Sequence, residues 1–215
     1  MNSQPPSLSR EDANQNIENF LALRPLDYKF PDEEVALLRL MVTTLEMALK
    51  EDEDVVVCGL LSRILLYDTD GIRNYPRALE LAKIAQKGGN LHGLHAMGNI
   101  HNNGLGLEKD PQRATACFNQ AAERGFAPSQ LSLGKMIAAK GRYREALQYL
   151  VPAAQQNYAP AQFVLGVMYW HGLGVDRNNT EAINLLDKAS KQGWEEAQQA
   201  LETVLQSIGA PLPPR

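Results

Sequence analysis

Residues 161–175 read AQFVLGVMYWHGLGV, a helical pattern that runs into a Gly-x-Gly turn. Ala161, Leu165 and Met168 stand at i, i+4 and i+7 and make one apolar stripe. Phe163, Val167 and Trp170 make a second. At about 100° per residue the two stripes lie on nearly opposite sides of a helix. A surface helix needs one such face, so this segment must touch protein on two sides or leave one face for a partner.

The same spacing recurs along the chain. Ala78, Ala114, Ala146 and Ala182 are separated by 36, 32 and 36 residues, and Ala85, Ala121, Ala153 and Ala189 repeat those intervals. Gly89, Gly125, Asn157 and Gly193 repeat them again, and Gly98, Gly134 and Gly166 follow at 36 and 32. Each unit holds two helices. The first carries a small residue, Leu or Met, then Gly; the second is amphipathic and closes on Gly or Asn, the residues suited to a left-handed terminus. A mid-helix Gly costs roughly 1 kcal/mol against Ala, so its return at one register predicts close helix–helix contact. The 32-residue interval comes from the short connection AAKGRYR, where the neighbouring repeats carry NNGLGLEKDPQ and HGLGVDRNNT.

This pattern resembles the Sel-1-like repeats, relatives of the tetratricopeptide repeat. Residues 159–194 carry it most completely, through Ala161, Leu165, Gly166, Tyr169, Gly172, Gly174, Val175, Ala182, Ala189 and Gly193. The second repeat has Met97 for Leu and His101 for Tyr, and the first is degenerate, with Ser62 in place of Gly. The resemblance implies an all-α, right-handed solenoid of antiparallel helix pairs with repeats at about 55–90, 91–126, 127–158 and 159–194. A capping helix is expected at 31–54 and another at 195–209. Residues 1–30 form an N-terminal extension, expected to be partly disordered. Within it NIENFLALRPLDYKF is open between a further helix and chain lying along the array. Residues 210–215 are expected to be a disordered tail.

The chain has 215 residues, of which 44% are hydrophobic and 21% charged, with a net charge of −4. That composition fits one globular domain or one repeat array, and the absence of a Lys/Arg block speaks against nucleic acid and anionic membrane as partners. The start MNSQPPSLSREDANQN has no apolar secretory core, and no run approaches a membrane span. Cys58 and Cys117 each fall in a helical pattern and read as reduced thiols. A cytoplasmic location follows as the expectation.

Catalytic constellations are sparse. GLG at 104–106 and 172–174 follows no strand and lacks a phosphate-loop Lys, so both are turns. His92 and His95, at i and i+3, could share a helix face and hold a metal, but no HExxH spacing accompanies them, and His101 takes a packing position on another face. The acidic run at 51–54 reads as a solvated junction. Some cysteine-rich proteins with this repeat carry a β-lactamase label. The paired cysteines are missing here, so that activity is not carried over.

In arrays of this kind first helices line the concave side and bind ligands there. The register places Gly59, Arg63 and Leu66 inward in repeat one, and His92, His95, Asn99 and Asn102 in repeat two. Leu131, Lys135 and Ala138 follow in repeat three, Phe163, Val167 and Trp170 in repeat four, and Gln199, Thr203 and Gln206 in the C-terminal helix. The surface is thus polar at repeat two and apolar at repeat four, where the aromatic types that anchor interfaces collect. Packing of Phe163 and Trp170 against the C-terminal helix or a folded-back terminus is the alternative cover.

The expected function is a non-catalytic module, without cofactor, that holds a protein or peptide partner in its groove as a bacterial adaptor. An immunity protein that neutralises a toxin is the first alternative, and a metal-dependent enzyme using His92 and His95 the second. A homodimer through the repeat-four apolar patch is a further partner expectation.

Overall fold

The structure, a computed structural model, describes residues 10–24, 26 and 28–211. Residues 1–9 of the expected partly disordered extension at 1–30, and 212–215 of the expected tail at 210–215, lie outside the described residues. Among the described residues there are eleven helices and no strand, and the chain divides into two compact units between Asp110 and Pro111.

Unit 1 contains α1 (Arg10–Ala22), α2 (Asp32–Glu51), α3 (Val55–Ile64), α4 (Tyr75–Lys87) and α5 (Leu91–Asn103). Unit 2 contains α6 (Pro111–Glu123), α7 (Ala127–Ala138), α8 (Tyr143–Gln155), α9 (Ala159–His171), α10 (Asn179–Lys191) and α11 (Glu195–Ser207). From α2 onward consecutive helices within each unit pack against one another, as short connections between antiparallel neighbours allow, while α1 packs against α3.

Local chemistry sets the helix ends. Asp54 accepts from Val56 N and Val57 N to start α3, Asn90 accepts from His92 N and Gly93 N to start α5, and Asn178 accepts from Glu181 N to start α10. Pro128 and Pro160 sit in the first turns of α7 and α9, where a missing N–H costs nothing. The second helices of the repeats close on left-handed residues, Gly89, Gly125, Asn157 and Gly193. Beyond three of these, the N–H groups of Asn90, Phe126 and Trp194 reach back to Ala85 O, Ala121 O and Ala189 O, satisfying carbonyls that the helix end would otherwise orphan.

The recurring small residues are where the helices touch. All eight alanines of the two repeated columns are fully buried. A Cβ added at Gly134 would stand 2.6 Å from Leu150 Cγ, and one at Gly166 would stand 3.0 Å from Leu186 Cγ. Leu150 and Leu186 are themselves fully buried, each worth about 2–3 kcal/mol of apolar transfer.

Unit 2 adds a polar clasp at the turns. Gln130 Nε2 donates to Ala122 O at 3.2 Å and Gln162 Nε2 to Ala154 O at 3.4 Å, the same bond one repeat apart. Gln156 Nε2 then donates to Gln130 Oε1 at 2.9 Å, and Gln192 Nε2 to Gln162 Oε1 at 2.8 Å. Gln130 and Gln162 are buried, so these bonds meet a requirement that burial itself creates.

Cys58 and Cys117 are buried and not disulfide-bonded, and burial pushes the Cys58 thiol up. In α2 only Leu38 and Leu45 are buried, while Leu37, Leu40 and Met47 are exposed.

Candidate functional site

The first helices are α3 and α5 in unit 1 and α7, α9 and α11 in unit 2, and the two units present their first-helix faces differently.

In unit 1 the face is closed by the chain's own N-terminus. Gly59 is buried because α3 and α5 approach closely: a Cβ there would lie 2.3 Å from Asn90 Oδ1 and 2.9 Å from His92 Cβ. Helix α1 lies against α3 and buries Ile17 and Leu21. Its Glu18 Oε1 stands 2.9 Å from His92 Nε2, and Arg63 Nη1 stands 3.0 Å from His92 Nδ1. Arginine has no acceptor, so Nδ1 must accept and Nε2 must carry the hydrogen that goes to Glu18. The result is a relay, Arg63 to neutral His92 to carboxylate.

Charges follow that geometry. Burial is the main force holding His92 below its ordinary range; the Glu18 hydrogen bond opposes it and the Arg63 charge adds to it. His95 is held well below its ordinary range by burial first, then by Arg63 and His92. The bond from His92 keeps the Glu18 carboxyl low.

Past α1 the chain is strapped down. Arg24 pairs with both oxygens of Glu34, at 3.1 and 2.5 Å, and its guanidinium lies 3.7 Å over the Phe20 ring. Tyr67 donates to Arg24 O at 2.7 Å, and the Phe30 ring meets Tyr67 edge-on at 4.9 Å. Leu66 is buried in this region, and Asn99 and Asn102 are half-buried on α5. The repeat register expects Arg63, His92 and His95 on one face; the structure joins Arg63 to His92 against Glu18 of α1, with His95 buried near both. Glu18, Ile17 and Leu21 fall outside that register. The spacing of Ile17 and Leu21 was the signal available.

In unit 2 the face is more open. Phe163, Val167 and Trp170 are all half-buried on α9. Phe163 has one aromatic neighbour in Trp194, the residue that starts α11, at 6.4 Å between ring centroids. Trp170 has the Arg177 guanidinium 4.8 Å over its ring. Trp194 is buried and its Nε1 has no hydrogen-bond partner. Leu131 and Ala138 are half-buried, and Lys135, Gln199, Thr203 and Gln206 are exposed. Trp194 was missed, although Asn90, Phe126, Tyr158 and Trp194 recur at the intervals of 36, 32 and 36 that mark the other repeat columns.

Among the described residues no group of three or more His, Cys, Asp or Glu is placed to hold a metal ion. Both ring nitrogens of His92 are engaged by Arg63 and Glu18. Ser132 and Lys135 stand at Ser-x-x-Lys spacing on α7, but Ser132 Oγ donates to Pro128 O of its own helix at 3.0 Å and Lys135 is exposed. No described helix is long and apolar enough to cross a membrane.

Comparison with known proteins agrees with this architecture. The Sel1 repeat matches residues 58–90, 91–126, 129–158 and 159–194. Over 103 residues the chain is 36% identical to DAP3-binding cell death enhancer 1 of Rattus norvegicus, covering 46% of this chain and 20% of that protein. Over 113 residues it is 30% identical to Chitin synthase regulatory factor 3 of Schizosaccharomyces pombe, covering 49% of this chain and 12% of that protein. The chain therefore spans a fifth or less of the curated relatives it matches. Among solved structures it resembles c5321, a protective antigen of uropathogenic Escherichia coli with an SLR fold, at a TM-score of 0.64 and 25% identity. That match covers 76% of this chain and 36% of the antigen.

Proposed function

The chain belongs to the Sel1 repeat family, and from that premise we propose that it is a non-catalytic module binding a protein or peptide segment on the first-helix face of unit 2. Sel1 repeats are protein-interaction repeats. The finer assignment rests on one observation: Phe163, Val167 and Trp170 form an apolar column on α9 that stays half-exposed, while the opposite stripe of that helix is buried. Aromatic side chains with cover on one side are the residues that anchor interfaces. Exposed Lys135, Gln199 and Thr203 supply the polar rim that such a patch takes.

The role we favour is that of an adaptor, which asks only that a partner be held. An immunity protein would use the same face against a toxin, with a Kd of about 1 nM or tighter, and rests on the family resemblance alone.

The test is a peptide selected from a displayed library on the full chain. Phe163→Ala with Trp170→Ala should weaken its binding at least about ten-fold, the loss of one or two anchor contacts, while far-UV circular dichroism stays unchanged. Affinity unmoved by both substitutions would remove this site.

A further inference from the structure

The face of unit 1 that corresponds to the open face of α9 is filled by a helix, and the filling helix reports what the face accepts. Three neighbouring side chains of α1 do the seating: Ile17 is 7% exposed, Leu21 is 1% exposed, and Glu18 reaches His92. The opposite side, with Glu11, Asp12, Gln15 and Asn19, is turned to solvent. This is the helix-in-groove mode, with anchors at i and i+4 and a polar outer face.

We infer that α1 is a displaceable resident of a helix-binding groove on α3 and α5, and that the partner it excludes is an amphipathic helix of another protein carrying a carboxylate at the register of Glu18. The inference goes beyond the reading of unit 2 and does not use the α9 face.

The carboxylate requirement comes from the relay. Arg63 can only donate, so His92 is fixed with its single ring N–H, on Nε2, pointing at the α1 site. An occupant with an apolar side chain there would strand that buried N–H and leave the guanidinium charge unanswered. An aspartate or glutamate satisfies both.

Displaceability comes from how little holds α1. It has 13 residues, a length at which an isolated helix is marginal in water. Only two of its apolar side chains are fully sunk. The strap beyond it has anchors of its own, through Arg24 to Glu34 and Phe30 to Tyr67, and meets α1 at Phe20, whose ring contacts both the Arg24 guanidinium and the Phe30 ring. Release of α1 therefore leaves a tethered competitor, whose effective concentration a partner must beat.

The probe is a fluorescein-labelled peptide with the sequence of residues 10–24, REDANQNIENFLALR, and its Glu18→Gln form, each titrated against the full chain and against full-chain Glu18→Gln. The Glu18→Gln chain should bind the Glu peptide about ten-fold more tightly than the wild-type chain does. It should also prefer the Glu peptide to the Gln peptide by a similar factor, the scale of one charge-assisted bond. Equal affinities in either comparison would overturn the proposal. Hydrogen exchange on the wild-type chain provides a reading that needs no variant. Amides of α1 should exchange at least about a hundred-fold faster than those of α3 and α5, and equal protection would make α1 a fixed part of the core. A concentration-dependent dimer of the Glu18→Gln chain would give the groove to a second copy's α1 and overturn the claim for a different protein. Phe163→Ala with Trp170→Ala should leave binding of this peptide unchanged, so either reading can fail alone.

Discussion

At the scale of single residues, the relay through His92 ties stability to pH. His92 and His95 are both held below an ordinary value near 6.5, and Glu18 below one near 4.5. For the histidines the unfolded chain binds more protons than the native one once pH falls through 6.5. Their contribution is complete above that pH and drains away as pH falls toward the lowered native values. Glu18 acts in the same direction, losing its contribution as pH falls from about 4.5 through its lowered value. Melting temperature should thus be level above pH 7 and decline from pH 6.5 downward, with a shallower decline in His92→Gln. A level profile from pH 7.5 to 5 would contradict the buried relay. Gly93 makes a different residue-scale case. Helix propensity favours Ala by about 1 kcal/mol, yet a Cβ there would stand 2.4 Å from Ala85 Cβ and 2.8 Å from the backbone at Ala85 C and Gln86 N. Backbone cannot swing aside as a side-chain tip can, so the clash wins. Gly93→Ala should cost about 1–3 kcal/mol or more in urea unfolding.

At the scale of helices and turns, the repeat was legible because packing is written in residues that recur. Ala78, Ala114, Ala146 and Ala182 are buried for one reason in four places, and four copies of one constraint make a period. The short connection at 139–142 was legible as missing residues in a loop, with α7 and α8 intact on either side. The contact of α1 was not. Glu18 and His92 are 74 residues apart and meet once, so no second copy marks the pairing. Asn157 shows a repeat position doing two jobs. It is the one described non-glycine residue with positive φ, at 61°, and its Oδ1 accepts from Gln162 Nε2 at 3.0 Å and Gln192 Nε2 at 3.3 Å. Replacing it with the Gly of the other repeats eases the backbone but removes two bonds worth about 1 kcal/mol each. Asn tolerates that region better than other residues, so the backbone gain is the smaller quantity. Asn157→Gly should therefore lower stability by up to about 1 kcal/mol, measured as a fall in urea midpoint. A higher midpoint would show the glutamine clasp to be idle.

At the scale of the whole molecule, the two units put their first-helix faces to different use. One is occupied by α1, which meets it through a buried neutral histidine held between two half-buried charges; the other keeps an aromatic column half-open. Sequence pattern alone ranked these faces by polarity, His and Asn against Phe and Trp. Occupancy could not be ranked that way, because it depends on where an unrepeated N-terminal segment lies. The chain's only two tryptophans, Trp170 and Trp194, both fall in unit 2 and sit at or beside its apolar column. The protein thus carries an intrinsic optical label confined to one half of itself. A ligand that shifts indole emission is reporting from the α9 side. One that binds without moving it, yet frees the α1 amides to exchange, has entered by the other door.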